Sequence, residues 1–228
     1  MISIDDFNPE YKNHKRAKRM KLRYDAANDR AVITVPPFTS NRTARKFAQS
    51  HIDWLLTQRN SSPTNIYLAP GEIIPFKGMN KLIIHDEERS GRVTIVEDTI
   101  IVGGSREGFS VRLENFLKKQ ARIVTEPLAQ EMALKIDKSF KRIQIRDTKS
   151  RWGSCSSSGN ISLSWRLIMT PPDILEYVVA HEIAHLQEMN HSPAFWAVVD
   201  CLVINAKPSR KWLKTKGQEL MLILPEST

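Results

Sequence analysis

The segment HEIAHLQEMNH, His181 to His191, decides how the rest of this chain is read. At about 100° per residue, a helix puts His185 only ~40° round from His181 and one turn further on. Two ligands of a single metal ion need that separation. Glu182 lies ~100° round from His181, near such an ion but off the ligand direction. A carboxylate there suits a base that takes a proton from a water whose pKa a zinc ion lowers to about 7. The opposite face carries Leu175, Val179, Ile183 and Leu186, so the helix can be anchored in a core with its histidines turned toward a cleft.

The third histidine requires the helix to end. Continued helix would carry His191 a rise of ~9 Å beyond His185 and aim it away. Asn190 can take the left-handed conformation that closes a helix, and Ser192-Pro193 reads as an N-cap followed by proline at the first helical position. His191 is thereby predicted in a tight corner between two helices, folded back toward the ion. Three histidines and a water make an open, catalytic zinc shell. Glu188 faces the same side as His181 and stays open as a ligand-orienting group or as the third ligand itself. Tyr177, one turn before His181, is a candidate to contact substrate or oxyanion. Phe195 and Trp196 are expected to wall the site by packing.

Working outward, Arg142–Arg146 and Asn160–Met169 pattern as strands flanking the Ser- and Gly-rich segment 150–159. Helices fit Asp173–Glu188, Pro193–Asn205 and Ser209–Leu222. A long helical pattern runs from Arg106 to Ile136, with Pro127 as a site of kinking or splitting. Before it, Lys18–Pro36 alternates as a hairpin turning near residues 27–29, and Ser40 or Thr43 can cap a helix to Leu56 whose inner face carries Phe47, Ile52, Leu55 and Leu56. Short strands are predicted at Asn65–Leu68, Lys81–His85, Arg92–Val96 and Thr99–Val102. The expected architecture is α+β: a β-rich N-terminal part, 1–105, and a long connecting helix leading into an α+β domain, 106–228.

Composition narrows the class. With 228 residues, 41% of them hydrophobic, the chain can build a substantial core. No apolar run approaches the ~18 residues of a membrane span, and the polar start carries no secretory h-region. Cys155 and Cys201 are far apart and fit reduced thiols, so a soluble cytoplasmic protein with no membrane association is expected. The net charge of +9 is concentrated in Lys12, Lys15, Arg16, Lys18, Arg19, Lys21 and Arg23, with a second group at Lys207, Arg210, Lys211, Lys214 and Lys216. Such clusters can bind nucleic-acid phosphates or acidic substrates, although a solvated strand edge and helix face are the plainer account.

The block RWGSCSSSGNISLSWRLIMTPPDILEYVVAHEIAHLQEMNHSPAFW, Arg151 to Trp196, resembles the YgjP-like metallopeptidase-domain family, distant kin of the zincins. The basic first strand and Val35-Pro36 extend the resemblance over nearly the whole chain. It implies a zincin-like catalytic domain, one zinc ion held by His181, His185 and His191, Glu182 as catalytic acid and base, and a peptide or protein substrate. The histidine spacing also equals that of the metzincins, but Glu188 stands at their turn glycine and no Met-turn follows, so that likeness is one of geometry. Arg151 is a candidate for holding a substrate carboxylate or phosphate or for steadying an oxyanion. The strand at RWGSC, or that at Ile161–Arg166, is a candidate to align an extended peptide. Cys155 as a fourth ligand would close the site. The leading expectation is a zinc metallopeptidase; a metal-dependent nucleotide or phosphate-ester hydrolase and a nucleic-acid-associated protease are the alternatives.

Overall fold

In a computed structural model that describes residues 2–61, 65–148, 150–204 and 206–225, the chain forms two compact units, Met1–Asn65 and Ile66–Thr228. The first contains strands β1 (Glu10–Asn13), β2 (Lys21–Asp25) and β3 (Arg30–Val35), then helices α1 (Asn41–Gln49) and α2 (Ile52–Ser61). The predicted hairpin is β2–β3, closed through Asp29 in the left-handed conformation, and β1 adds a parallel strand on the far side of β3. Ser40 caps α1, its hydroxyl accepting the Thr43 amide at 3.1 Å. The single helix expected to Leu56 is broken at Ser50-His51, which separates α1 from α2. Ala31, Ile33, Val35, Ala44, Ala48 and Leu55 form the core of this unit, with Phe47, Ile52 and Leu56 packed against it.

The second unit runs through β4 (Ile66–Tyr67), β5 (Ile73–Phe76), β6 (Met79–Asp86), β7 (Val93–Val96), β8 (Thr99–Gly103), α3 (Phe109–Lys135), β9 (Arg142–Arg146), β10 (Gly153–Cys155), β11 (Asn160–Ser164), α4 (Pro172–Ala184), α5 (Pro193–Leu202), α6 (Ala206–Thr215), α7 (Gly217–Leu220) and β12 (Ile223–Leu224). One sheet has the order β5-β6-β8-β7, a second β10-β11-β9, and β12 pairs with β4. The architecture is α+β, as expected. None of the described helices is long and apolar enough to cross a membrane.

The sequence places a break near residue 105, with the long helix as a connector; the contacts divide the chain after Asn65 instead. The physical reason lies in α3, a single 27-residue helix that Pro127 does not split. Its first half buries Phe109, Leu113, Leu117 and Ala121 against Ile83, Ile100 and Val102 of the four-stranded sheet. Its second half buries Ala129, Met132 and Ala133 against Ile143, Val179 and Ile183. One helix thus supplies a face to both clusters, and the strands of residues 66–105 share a core with the helices that follow.

Other expected boundaries shift. The strand expected over Asn160–Met169 ends at Ser164, whose hydroxyl caps a 3₁₀ turn, Trp165–Met169, that is buried throughout. The expected Ser209–Leu222 helix begins earlier and divides into α6 and α7. Helix α5 ends at Leu202, and its predicted end at Asn205 lies outside the described residues.

Candidate active site

Helix α4 buries Leu175, Val179 and Ile183 in the larger core, which leaves His181 on the opposite side. The helix is shorter than the predicted Asp173–Glu188. It ends at Ala184, and His185 is its C-cap, still in right-handed helical conformation at φ −66° and ψ −15°. His181 and His185 therefore keep their one-turn spacing while the chain turns away at once. The amides of Leu186 and Gln187 close turns onto Ile183 and Ala184, and the Ser192 amide donates to the Asn190 carbonyl at 2.8 Å. Asn190 is not in the left-handed region, as the turn begins five residues earlier and needs no such cap. Ser192 does cap α5, its hydroxyl accepting from the Phe195 amide at 3.3 Å with Pro193 in the first turn.

These turns bring three imidazoles together. One donor atom each of His181, His185 and His191 lies within 4.8 Å of the others, the only such group among the described residues. Nε2 of His181 and Nε2 of His191 are 3.0 Å apart. Two nitrogen ligands of a tetrahedral zinc at ~2.0–2.1 Å would stand ~3.3 Å apart, so the pair is spaced as co-ligands are. Phe195 lies against all three rings, at centroid distances of 4.9, 4.6 and 4.7 Å, which fixes their seat on α5.

The second nitrogens of His181 and His185 have partners. His185 Nδ1 lies 3.0 Å from the Glu188 carbonyl. A carbonyl only accepts, so Nδ1 carries the proton and Nε2 presents its lone pair to the cluster. His181 Nδ1 lies 3.4 Å from the Tyr177 hydroxyl. The Glu188 contact with this cluster runs through its main chain, whose carbonyl faces His185 Nδ1, and its carboxylate is outside the donor group. Burial, followed by repulsion from His185, His191 and Arg210, lowers His181 to about 4, and burial also lowers His185. Both rings are neutral near pH 7, the form that ligates a metal.

Glu182 is 5% exposed, and burial, only partly offset by the charge of Arg151, pushes its carboxyl up to about 8. Its closest constraint is Gly153 on β10. A Cβ at Gly153 would meet Glu182 Oε1 at 2.6 Å and its Cγ at 2.7 Å, nearer than side chains approach. The glycine of the RWGSC segment is therefore clearance for the carboxylate, a role the sequence does not reveal because the two residues are far apart along the chain. Strand β10 is the edge of its sheet, while β11 is paired on both sides, so of the two candidate strands only β10 has an open edge.

The remaining candidates fall into place unequally. Arg151 is exposed, and its charge reaches Glu182. Tyr177 is 5% exposed, and its hydroxyl lies 3.4 Å from His181 Nδ1. Cys155 is half-buried and outside the donor group, and burial, with Glu182 nearby, raises its thiol to about 11. Phe195 and Trp196 line the cluster as expected, and Arg210 lies 4.1 Å over the Trp196 ring. The three histidines could hold a metal ion, and the buried Glu182 carboxyl adjoins them in sequence.

The family described as YgjP-like, metallopeptidase domain, matches residues 18–216. No curated protein matches the chain. A solved structure, the metallopeptidase zymogen abylysin of Pyrococcus abyssi, is similar at 24% identity over 41% of this chain and 96% of its own, with a TM-score of 0.37.

Proposed function

The chain belongs to the YgjP-like metallopeptidase family, and from that premise we propose that it is a zinc-dependent peptidase whose general base and acid is Glu182. The observation that carries this reading is the convergence of His181, His185 and His191, with a buried carboxylate one residue from the first of them. Three imidazoles suit zinc better than magnesium or calcium, which take oxygen ligands. Zinc held there would supply a Lewis acid for the scissile carbonyl and acidify an attacking water.

The chain's own residues do the rest. Glu182 accepts the proton of the attacking water and returns it to the leaving amine. Its burial raises its basicity, and Gly153 leaves room for its carboxylate. The open edge of β10 can pair with an extended peptide through main-chain hydrogen bonds, which would lay the scissile amide along α4. Arg151 is our candidate for steadying the developing oxyanion. Tyr177, one turn earlier on α4, orients His181.

Casein and a peptide library, incubated with wild type and Glu182→Gln and read by mass spectrometry, test this function. Cleavage should fall by about 10²–10⁴-fold in the variant while its bound metal is unchanged. Full activity in Glu182→Gln, or hydrolysis of nucleoside triphosphates without any peptide cleavage, would overturn it.

A second partner has its own support. In the N-terminal unit a groove of about 530 Å³ is lined by His14, Arg16, Lys18, Arg19 and Lys21, which suits a phosphate backbone. Nucleic-acid binding that weakens steeply with salt and disappears when Arg16, Lys18 and Arg19 are neutralised would establish it; no binding at low salt would remove it. The two free cysteines accord with a cytoplasmic location.

A further inference from the structure

Helix α6 carries Lys207, Arg210, Lys211 and Lys214 at steps of three and four, which puts all four on one face. Together they line a groove of about 560 Å³ whose floor includes Trp152, Tyr177 and Leu213. No carboxylate is among the residues lining it, and no described acidic side chain is paired with any of the four. A basic helix face with nothing beside it is ordinarily solvated. This one differs in what it adjoins: Tyr177 on the floor reaches His181 at 3.4 Å, and Arg210 lies over Trp196, whose ring flanks His181 and His191.

We infer that this groove is a substrate subsite for acidic peptide side chains, Asp or Glu a few residues from the scissile bond. The inference rests on the peptidase reading and supplies its substrate class. From Lys207 to Lys214 the helix rises ~10 Å, the length of about three extended peptide residues. The floor offers apolar surface to the methylene stems of a glutamate-rich segment, and the cations meet its carboxylates. Single-stranded nucleic acid is gripped on open aromatic faces. Here Trp152 is packed against both core clusters, Tyr177 is buried and the neighbouring Trp196 face is covered by Arg210, so the chemistry favours an acidic peptide.

The test uses the full chain with Glu182→Gln, so that binding is read apart from turnover, and fluorescently labelled peptides matched except for Glu against Gln. The Glu peptide should bind about tenfold tighter at low ionic strength, since several solvent-screened ion pairs sum to that order. The preference should shrink as salt rises. Replacing Lys207, Lys211 and Lys214 by Gln together should abolish it, with cleavage of the neutral peptide by the otherwise wild-type chain unchanged. Equal binding of the two peptides, or a preference that survives the triple replacement, would overturn the subsite while neutral-peptide cleavage still upheld the peptidase. An oligothymidylate that displaces the Glu peptide more effectively than unlabelled peptide does would assign the groove to nucleic acid and also overturn it. Charge-selective binding without cleavage of any peptide would support the groove and count against the peptidase reading.

Discussion

Gly153 on β10 leaves the space that the Glu182 side chain occupies. Alanine at 153 would put a methyl 2.6 Å from Glu182 Oε1, so the carboxylate must swing or β10 must shift. Displacing a catalytic group by about 1 Å can cost ~10²-fold in rate. Gly153→Ala is therefore expected to lower peptide cleavage by that order while circular dichroism and bound metal stay as in wild type. Undiminished activity would show that Glu182 has room to spare. Tyr177 acts differently, through a ring nitrogen of His181. Loss of a group that orients a ligand histidine typically weakens metal affinity 10–100-fold, and the 3.4 Å contact is long, so about tenfold is expected for Tyr177→Phe in a competitive chelator titration.

At the scale of elements, the third histidine depends on where α4 stops and α5 starts. Ser192 at the N-cap fixes the entry of α5, directly after His191 and three residues before Phe195. Ser192→Ala should cost about 1 kcal/mol in urea unfolding and also weaken metal binding, because His191 loses its corner. A second joint ties β9 to the chain's last strand. Arg166, fully buried, pairs with Asp147 just beyond β9 and donates from Nε to the Ile223 carbonyl at 2.9 Å, while Trp165 Nε1 donates to Asp147 at 3.0 Å. Arg166→Ala removes a fully buried guanidinium together with its bonds to Asp147 and Ile223, so it should be among the most destabilising single changes, readable as a lowered urea midpoint. Burial alone would raise Asp147, but the bonds and charge of Arg166, with the Trp165 bond, hold it below the usual carboxylate range. Its stabilisation is present above the unfolded pKa near ~4 and is lost as pH falls through the lower folded value. Asp147→Asn should flatten that acid limb of the stability curve.

For the molecule as a whole, the site was legible where its chemistry is periodic or local. His181, Glu182 and His185 follow from helix geometry, and Ser192-Pro193 announces the next helix. What the sequence conceals is long-range. The clearance of Glu182 by Gly153, the Glu188 carbonyl on His185, and the sharing of α3 between two clusters depend on tertiary packing that no local pattern encodes. The break expected near 105 reflects the same blindness: a change from strands to helix looks like a boundary in sequence, yet here both sides bury one face of α3. A metal that joins α4 to the start of α5 also links site and stability. At a free concentration one hundred times its Kd it adds about 2.7 kcal/mol, so chelation should lower Tm by ~5–10 °C and added zinc should restore it.

If His181, His185 and His191 hold a single metal ion, metal stoichiometry by inductively coupled plasma mass spectrometry reads it out. After reconstitution and removal of free metal, wild type and Glu182→Gln should each retain about one zinc per chain, and His191→Ala should retain far less. Full zinc retention in His191→Ala, or none in wild type, would contradict it.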